Sequence, residues 1–207
     1  MWHNQLDAIF VINLLKRKDR RQQAEDELNK YDIPFRFWIA IENENGAEGL
    51  RQTMVALFNH CIANGYKRVG IFEDDAVMIE DINAYMPKCL EQLPEDFDLF
   101  YLGCQHNQKF ERFYSENLLP VASAFSTHAV LWSASGMTKF IERCNGIPID
   151  REIRNKLQSD GKCFASFPML VSQRPSYSDI EKKLIDWGKW LQDLFKKNTK
   201  HLLDGSY

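Results

Sequence analysis

The amino-acid sequence predicts an α/β fold in which helices flank a mostly parallel sheet. Apolar runs rich in β-branched residues alternate with segments whose apolar residues repeat every three or four positions, and short polar loops separate them. Strand–helix–strand units of this length favour right-handed crossovers and therefore parallel strands. The 207 residues suit one domain. We expect two halves of that domain, 8–103 and 104–180, followed by an amphipathic helix over 181–200.

The first half contains three predicted strands and two predicted helices. The strands are compact apolar runs with β-branched or aromatic residues, and each helix shows one apolar face. The second helix stops at Asn64-Gly65, a common way to end a helix. The predicted strands are 8–14, 35–41 and 68–72, and the predicted helices are 19–30 and 50–62, with a loop over 42–49.

The second half follows the same logic with shorter elements. Pro87 disfavours a regular helix where it stands, because proline lacks the amide proton that a helix interior uses. The segment 164–171 fits either a strand or a loop. The other predicted strands are 98–102 and 127–132, and the predicted helices are 82–93, 135–144, 150–158 and 180–197.

Composition excludes several classes of protein. Hydrophobic residues make up 44% of the chain and charged residues 27%, which is ordinary for a globular domain and excludes a disordered or collagen-like chain. Lys and Arg total 26 against 29 Asp and Glu, so the chain lacks the basic surplus of a nucleic-acid-binding protein. The five cysteines are scattered without a CxxC pair, which argues against a disulfide framework or zinc site. With no signal peptide or long apolar span, we expect a soluble cytoplasmic protein.

An acidic triplet, Glu73-Asp74-Asp75, directly follows the predicted strand 68–72. Ligands of open α/β sheets bind beyond the carboxyl ends of the strands, which is where this triplet stands. Clustered carboxylates repel one another, and a divalent cation relieves that repulsion. Oxygen ligands favour Mg²⁺ or Mn²⁺ over Zn²⁺. The alternative is a solvated acidic turn.

A cluster of cations follows the first predicted strand, at the same edge of the sheet. Cations at a strand–helix junction bind diphosphates well, because helix N-terminal amides add to their charge. The alternative is a charged first turn on a surface helix. Cations and carboxylates at one edge together suggest a ligand that contains a metal ion and a diphosphate. The cluster consists of Lys16, Arg17, Lys18, Arg20 and Arg21.

The residues around both clusters are similar to motifs of one enzyme family. Val11-Ile12-Asn13-Leu14, with Arg17, Asp19, Arg20 and Arg21 after it, resembles the "INL…R.DR" opening of glycosyltransferase family 25, the lipooligosaccharide and collagen-type sugar transferases. Residues 71–76 resemble the family's "LEDDA" motif. Further matches follow in the family's order, at 98–103, 127–141, 148–150 and 173–180.

The resemblance implies a GT-A fold and transfer of a hexose, galactose or glucose, from a UDP-sugar to a glycan hydroxyl. It implies that Asp75 and Glu73 bind Mn²⁺ or Mg²⁺, and that Glu73 or Asp74 contacts the ribose or a metal-bound water. The two halves then correspond to a donor side and an acceptor side. The other residues expected to contact the nucleotide sugar or its metal are Ile12, Asn13, Leu14, Arg17, Arg20 and Gln173.

Family members invert the anomeric carbon, so the resemblance calls for a carboxylate as general base. Asp150 is our first candidate, because it opens a predicted helix after a turn that contains a proline. The equal alternative is that Asp150 only caps that helix. Asp179 is the second candidate, and it also stands where a cap is expected.

Two other functions remain open from the sequence. One is a non-catalytic module that binds nucleotide sugars, and the other is a sugar nucleotidyltransferase, although the glycine-rich N-terminal loop of that class is absent. The lysine-rich C-terminal helix fits either a helix that closes the domain or peripheral contact with an anionic inner membrane face, where glycolipid acceptors are found. His128 is expected in the core.

Overall fold

The computed structural model describes residues 1–178 and 183–204. Short 3₁₀ helices lie at Trp2–Gln5 and Gln158–Asp160. The helices are α1 (Lys18–Asn29), α2 (Gly46–Ala63), α3 (Ile82–Gln92), α4 (Ala134–Arg143), α5 (Ile149–Lys156) and α6 (Gly188–Leu203). The strands are β1 (Ala8–Asn13), β2 (Arg36–Ile39), β3 (Arg68–Glu73), β4 (Ala76–Met78), β5 (Leu99–Tyr101), β6 (Gln105–His106), β7 (Leu118–Pro120), β8 (Ala124–Phe125), β9 (Ala129–Ser133), β10 (Cys163–Ser166), β11 (Val171–Gln173), β12 (Ser176–Ser178) and β13 (Lys183–Ile185).

A seven-stranded sheet forms the centre of the fold, with the strand order β2-β1-β3-β9-β5-β10-β7. Strands β2, β1, β3, β5 and β10 run in one direction, whereas β9 and β7 run against their neighbours. The predicted α/β fold with a mostly parallel sheet is therefore confirmed. Because β9 is antiparallel, its first residues lie at the same edge as the last residues of β1 and β3.

The sheet is buried on both faces, which explains why its strands are continuous apolar runs. Along β1, Ile9 and Val11 pack on one face with Leu28 of α1, whereas Phe10 and Ile12 pack on the other face. That second face also packs against residues from α2, α4, α5 and α6. Side chains alternate along a strand, so one short run supplies both layers of the core.

Helix α2 starts at Gly46, four residues before the predicted start. The side chain of Asn45 caps it, with Oδ1 accepting from the backbone N–H groups of Ala47 (3.1 Å) and Glu48 (3.4 Å). Such a cap satisfies amide protons that have no partner within the helix. The predicted loop over 42–49 is therefore shorter than expected, and the N-terminus of α2 comes close to the end of β2.

The C-terminal helix was predicted to begin at residue 180, and the structure corrects this boundary. Residues 183–185 pair with 176–178 as an antiparallel ladder, so their backbone hydrogen bonds serve a hairpin and α6 begins only at Gly188. The apolar face of α6 is in the core through Leu191, Phe195 and Leu202. This agrees with a helix that closes the domain.

Within 1–178 and 183–204, no helix combines the length and the apolar character that crossing a bilayer requires.

His128 lies in the core, as predicted, between the sheet and β11. Its Nε2 is 3.2 Å from the carbonyl oxygen of Val171, and the side chain is fully buried. Gly103 makes this packing possible, because a Cβ there would lie 1.8 Å from the Val171 oxygen and 2.8 Å from His128 Nε2. Burial lowers the pKa of His128 to about 4, although the Val171 carbonyl acts in the opposite direction.

We expect acid to destabilise the protein partly through His128. Because the folded state holds this imidazole neutral, its contribution is present above the ordinary pKa of 6.5 and is lost as the pH falls from 6.5 towards 4. The total loss is about 3 kcal/mol of unfolding free energy. Urea unfolding at pH 7 and pH 4.5 measures it. His128→Gln should show a smaller decrease between these pH values than the wild type, and an equal decrease would contradict the assignment.

Candidate functional site

A cavity of about 400 Å³ opens at the carboxyl edge of the sheet. Because β3 lies between β1 and β9, the acidic triplet at the end of β3 is central to this edge. The wall of the cavity is formed by the ends of β1 and β2, the start of α2, the approach to β9 and the starts of α5 and α6. The predicted site residues on its wall are Ile12, Leu14, Arg20, Glu73, Asp74, Asp75, Asp150 and Gln173.

Glu73 is the last residue of β3, and two hydrogen bonds hold it in place. Its backbone N–H donates to the carbonyl of His128 (2.8 Å), and its Oε1 accepts from the hydroxyl of Thr127 (2.9 Å). Burial, together with the nearby Asp75 carboxylate, raises the pKa of Glu73 to about 8. An additional positive charge in the cavity would therefore stabilise the ionised form of Glu73.

Asp74 is held by two neighbours that the sequence places at the end of β1 and the start of α1. Its Oδ2 accepts from Asn13 Nδ2 (2.7 Å), and its Oδ1 accepts from Arg20 Nη1 (2.7 Å). Burial raises the pKa of Asp74, although Arg20 and Asn13 act in the opposite direction. Asp74 therefore anchors the cation cluster to the acidic triplet.

Asp75 carries the carboxylate that best fits a ligand. Its Oδ2 lies 3.5 Å from Arg20 Nη2, and the side chain of Gln173 donates to the carboxylate. Its Oδ1 is buried and has no hydrogen-bond partner among the residues that the structure describes. Burial raises the pKa of Asp75, although Arg20 and Gln173 lower it. A buried carboxylate oxygen without a partner is costly unless something binds it.

The residues at this edge fit a divalent cation that arrives together with a phosphate ligand. In the described part of the chain, no group of three or more His, Cys, Asp and Glu side chains is arranged to hold a metal ion. Mg²⁺ is commonly bound by one or two carboxylates together with substrate phosphates and water. Glu73 and Asp75 supply two carboxylates on the cavity wall, which fits that mode.

Asp150 lines the same cavity from the first turn of α5. The N-cap position of this helix belongs to Pro148, so the alternative that Asp150 is the N-cap residue is wrong. Asp150 Oδ1 accepts from the backbone N–H of Arg151 (2.8 Å), which orients the carboxylate. The structure thus brings Asp150 to the same cavity as the acidic triplet, about 75 residues earlier in the chain.

Two predicted nucleotide contacts lie behind the cavity wall. Asn13 is buried, its side chain also donates to the carbonyl of Arg17 (3.2 Å), and its own carbonyl accepts from Ala40 (2.9 Å). Arg17 binds Asp19 (3.0 and 2.9 Å) and the carbonyl of Tyr177 (3.2 Å). Asn13 therefore supports the site from within the protein, whereas Arg17 binds neighbouring groups near the surface, including the backbone of β12. Neither residue lines the cavity, which differs from the nucleotide contacts that the resemblance implies.

The second candidate base, Asp179, lies outside the described residues. Gln173 is the last residue of β11, pairs with Ala76 next to Asp75, and lines the cavity.

The cavity wall also contains residues that the motifs do not reveal. The ion pair between Lys16 and Glu42 connects the loops after β1 and β2. Trp187 directly precedes α6 and lines the cavity, whereas the prediction placed it inside a helix that begins at residue 180. No sequence motif marks these wall residues, because they come from separate loops. The others are Ala40, Ile41, Asn43, Gly46, Ala47, Leu50, Gln105, Ser126, Thr127, Pro148, Ile149, Arg174 and Leu191.

Comparison with known proteins gives structural matches alone. No protein-family model matches the chain, and no curated protein sequence does. A197 from STIV superposes with a TM-score of 0.52 at 15% identity, over 86% of this chain and 92% of that chain. A glycosyltransferase involved in the glycosylation of the major capsid of PBCV-1 gives 0.49 at 7% identity, over 76% and 79%. Mannose-1-phosphate geranyltransferase from Thermus thermophilus gives 0.45 at 11%, over 77% and 72%. The likeness to A197 shows a fold shared over most of both chains.

Proposed function

We propose that the protein is a metal-dependent glycosyltransferase of the GT-A type. It moves a hexose, galactose or glucose, from a UDP-sugar to a glycan hydroxyl with inversion. The observation that carries this proposal is that Glu73, Asp75 and Asp150 line one cavity at the carboxyl edge of the sheet. Two partly buried carboxylates at the end of β3 fit a metal–diphosphate, and a third, oriented carboxylate fits a base for the acceptor.

Glu73 and Asp75 would hold Mn²⁺ or Mg²⁺, and the unpartnered Asp75 Oδ1 supports this assignment within the described part of the chain. The ion supplies Lewis-acid stabilisation of the negative charge that develops on the leaving diphosphate. Gln173 contacts Asp75 and holds its carboxylate in place. Arg20 contributes fixed positive charge beside both Asp74 and Asp75, at 2.7 and 3.5 Å.

The donor side of the cavity is formed by the ends of β1 and β2. Ile12, Leu14 and Leu50 give it apolar surface for a flat nucleobase. A volume of about 400 Å³ lies within the usual range of small-ligand sites. The choice of uracil as the base follows from the family resemblance.

The transfer step uses the carboxylate of Asp150 as general base. The acceptor hydroxyl oxygen forms a bond to the anomeric carbon as the bond from that carbon to the phosphate oxygen breaks. The hydroxyl proton goes to Asp150, and the electron pair of the broken bond leaves with UDP. Attack from the face opposite the diphosphate inverts the anomeric configuration.

Thermal unfolding with a panel of nucleotide sugars, with and without Mn²⁺, tests the proposal. We expect a UDP-hexose with Mn²⁺ to raise the melting temperature more than either alone, because only the native state binds them. Donor hydrolysis and transfer to glycan acceptors should then be measured. Stabilisation without any turnover would favour a non-catalytic module that binds nucleotide sugars. An unchanged melting temperature with every donor would refute the proposal.

A further inference from the structure

Trp187 is a large aromatic side chain on the wall of the cavity. It is 43% exposed, whereas tryptophan side chains in proteins are on average largely buried. Helix α6, which begins directly after it, packs on β6, where Asn198 Nδ2 donates to the carbonyl of His106 (2.5 Å).

The start of α6 is held firmly against β11. A Cβ on Gly188 would lie 2.3 Å from the carbonyl oxygen of Gln173, so only glycine allows this approach. The buried hydroxyl of Ser172 also donates to the carbonyl of Gly188 (3.1 Å). The Trp187 ring packs against Trp190, with 5.3 Å between ring centroids. These contacts give the indole a defined position beside Gln173.

The wall near Trp187 combines this indole with polar groups. Asp150, Gln105 and Ser126 line the same cavity. Ser126 has a φ of 71°, a left-handed conformation that residues other than glycine rarely adopt outside functional or turn positions. An apolar wall with a few convergent polar groups is typical of a site for a small polar ligand.

We propose that Trp187 forms the apolar wall of an acceptor subsite that takes one pyranose ring and presents its hydroxyl to Asp150. This inference rests on the proposed function and names the chemistry of the acceptor end. One face of a pyranose carries mainly C–H groups, which favour contact with an indole, while the ring edge carries hydroxyls that need polar partners. Trp187 and Asp150 supply one of each.

Binding of methyl glycosides tests this subsite without requiring turnover. Isothermal titration of wild type with the methyl α- and β-pyranosides of galactose and glucose, in the presence of UDP and Mn²⁺, should show saturable binding. We expect Trp187→Ala to weaken the best of these glycosides about tenfold, which is the scale of one lost aromatic contact. Trp187→Phe keeps an aromatic ring and should stay within about threefold of wild type.

Tyr114→Ala is the control, since Tyr114 is a 52% exposed aromatic side chain that does not line the cavity. It should stay within about threefold of wild type. All variants should bind UDP with Mn²⁺ as wild type does. Glycoside binding that survives in Trp187→Ala, or that falls equally in Tyr114→Ala, would overturn the subsite. So would a wild type that binds UDP with Mn²⁺ and none of the glycosides.

The same titrations separate the subsite from the proposed function. A wild type that binds glycosides through Trp187 but no nucleotide sugar supports the subsite and refutes the glycosyltransferase. A wild type that binds neither refutes both.

Discussion

Asp75→Asn should abolish the metal-dependent part of donor stabilisation and lower kcat/KM for transfer about a thousandfold. The substitution keeps the shape of the side chain but removes the negative charge of the carboxylate. In the described part of the protein, Oδ1 of that carboxylate is buried without a hydrogen-bond partner. Thermal unfolding with a UDP-hexose at increasing Mn²⁺ concentration measures the first effect. A radiolabelled or coupled transfer assay measures the second.

The same variant should fold normally, and this makes the result interpretable. Loss of the attraction to Arg20, 3.5 Å away, is offset by relief of desolvation and of repulsion with Glu73. We expect the unfolding free energy without metal to change by less than about 1 kcal/mol. Asp96→Asn removes an exposed carboxylate that pairs with Lys162 (2.9 Å), away from the cavity, and serves as control. Undiminished Mn²⁺-dependent stabilisation of Asp75→Asn would show that the metal site is wrong.

Asp150→Asn should lower the rate of transfer about a thousandfold while donor binding stays the same. A general base contributes roughly 10²–10⁴ to a rate, and the amide cannot take the acceptor proton. Since Asp150 belongs to α5 and not to the predicted metal site at the end of β3, the UDP-hexose and Mn²⁺ should still stabilise the variant as they do wild type. Single-turnover transfer and thermal unfolding measure the two effects separately.

Glu142→Gln is the matched control, because Glu142 is an exposed carboxylate of α4 that does not line the cavity. It should leave both measurements unchanged. If Asp150→Asn transfers sugar at a rate close to wild type, Asp150 is not the base. The second candidate, Asp179, would then be tested in the same way.

The local sequence predicts most elements of the fold because their signals are short-range. The apolar run 8–14 and the strand 68–72 were predicted within one residue of the observed β1 and β3, since strands buried on both faces are apolar throughout. The start of α6 was predicted eight residues too early. The apolar residues of 180–197 repeat with a helical period, which is why the prediction began there. Residues 183–185 instead pair with 176–178, and the local sequence does not reveal that pairing.

The candidate site likewise contains residues whose position the sequence predicts and residues whose contacts it does not. Glu73, Asp74 and Asp75 were predicted from position alone, because a polar triplet after a buried strand must emerge at the carboxyl edge. Asn13 was expected at the nucleotide, yet it holds Asp74 at 2.7 Å from within the protein. Whether a polar side chain at a strand end faces a ligand or a neighbouring residue depends on which strands lie beside it. The sequence alone does not reveal that strand order.

By itself, the sequence determined an α/β domain with opposite charges at one edge of a sheet. Strand-like and helix-like apolar patterns, and the charged residues that follow a strand, can each be read from a short stretch of sequence. Only the tertiary structure decided what those charges face. Sheet order placed the antiparallel β9 beside β3 and brought Thr127 to Glu73, and helix packing placed Asp150 and Trp187 on the wall of the same cavity. Such contacts join residues about 50 to 110 positions apart in the chain, and they exist only because packing of the two core layers brings separate loops together.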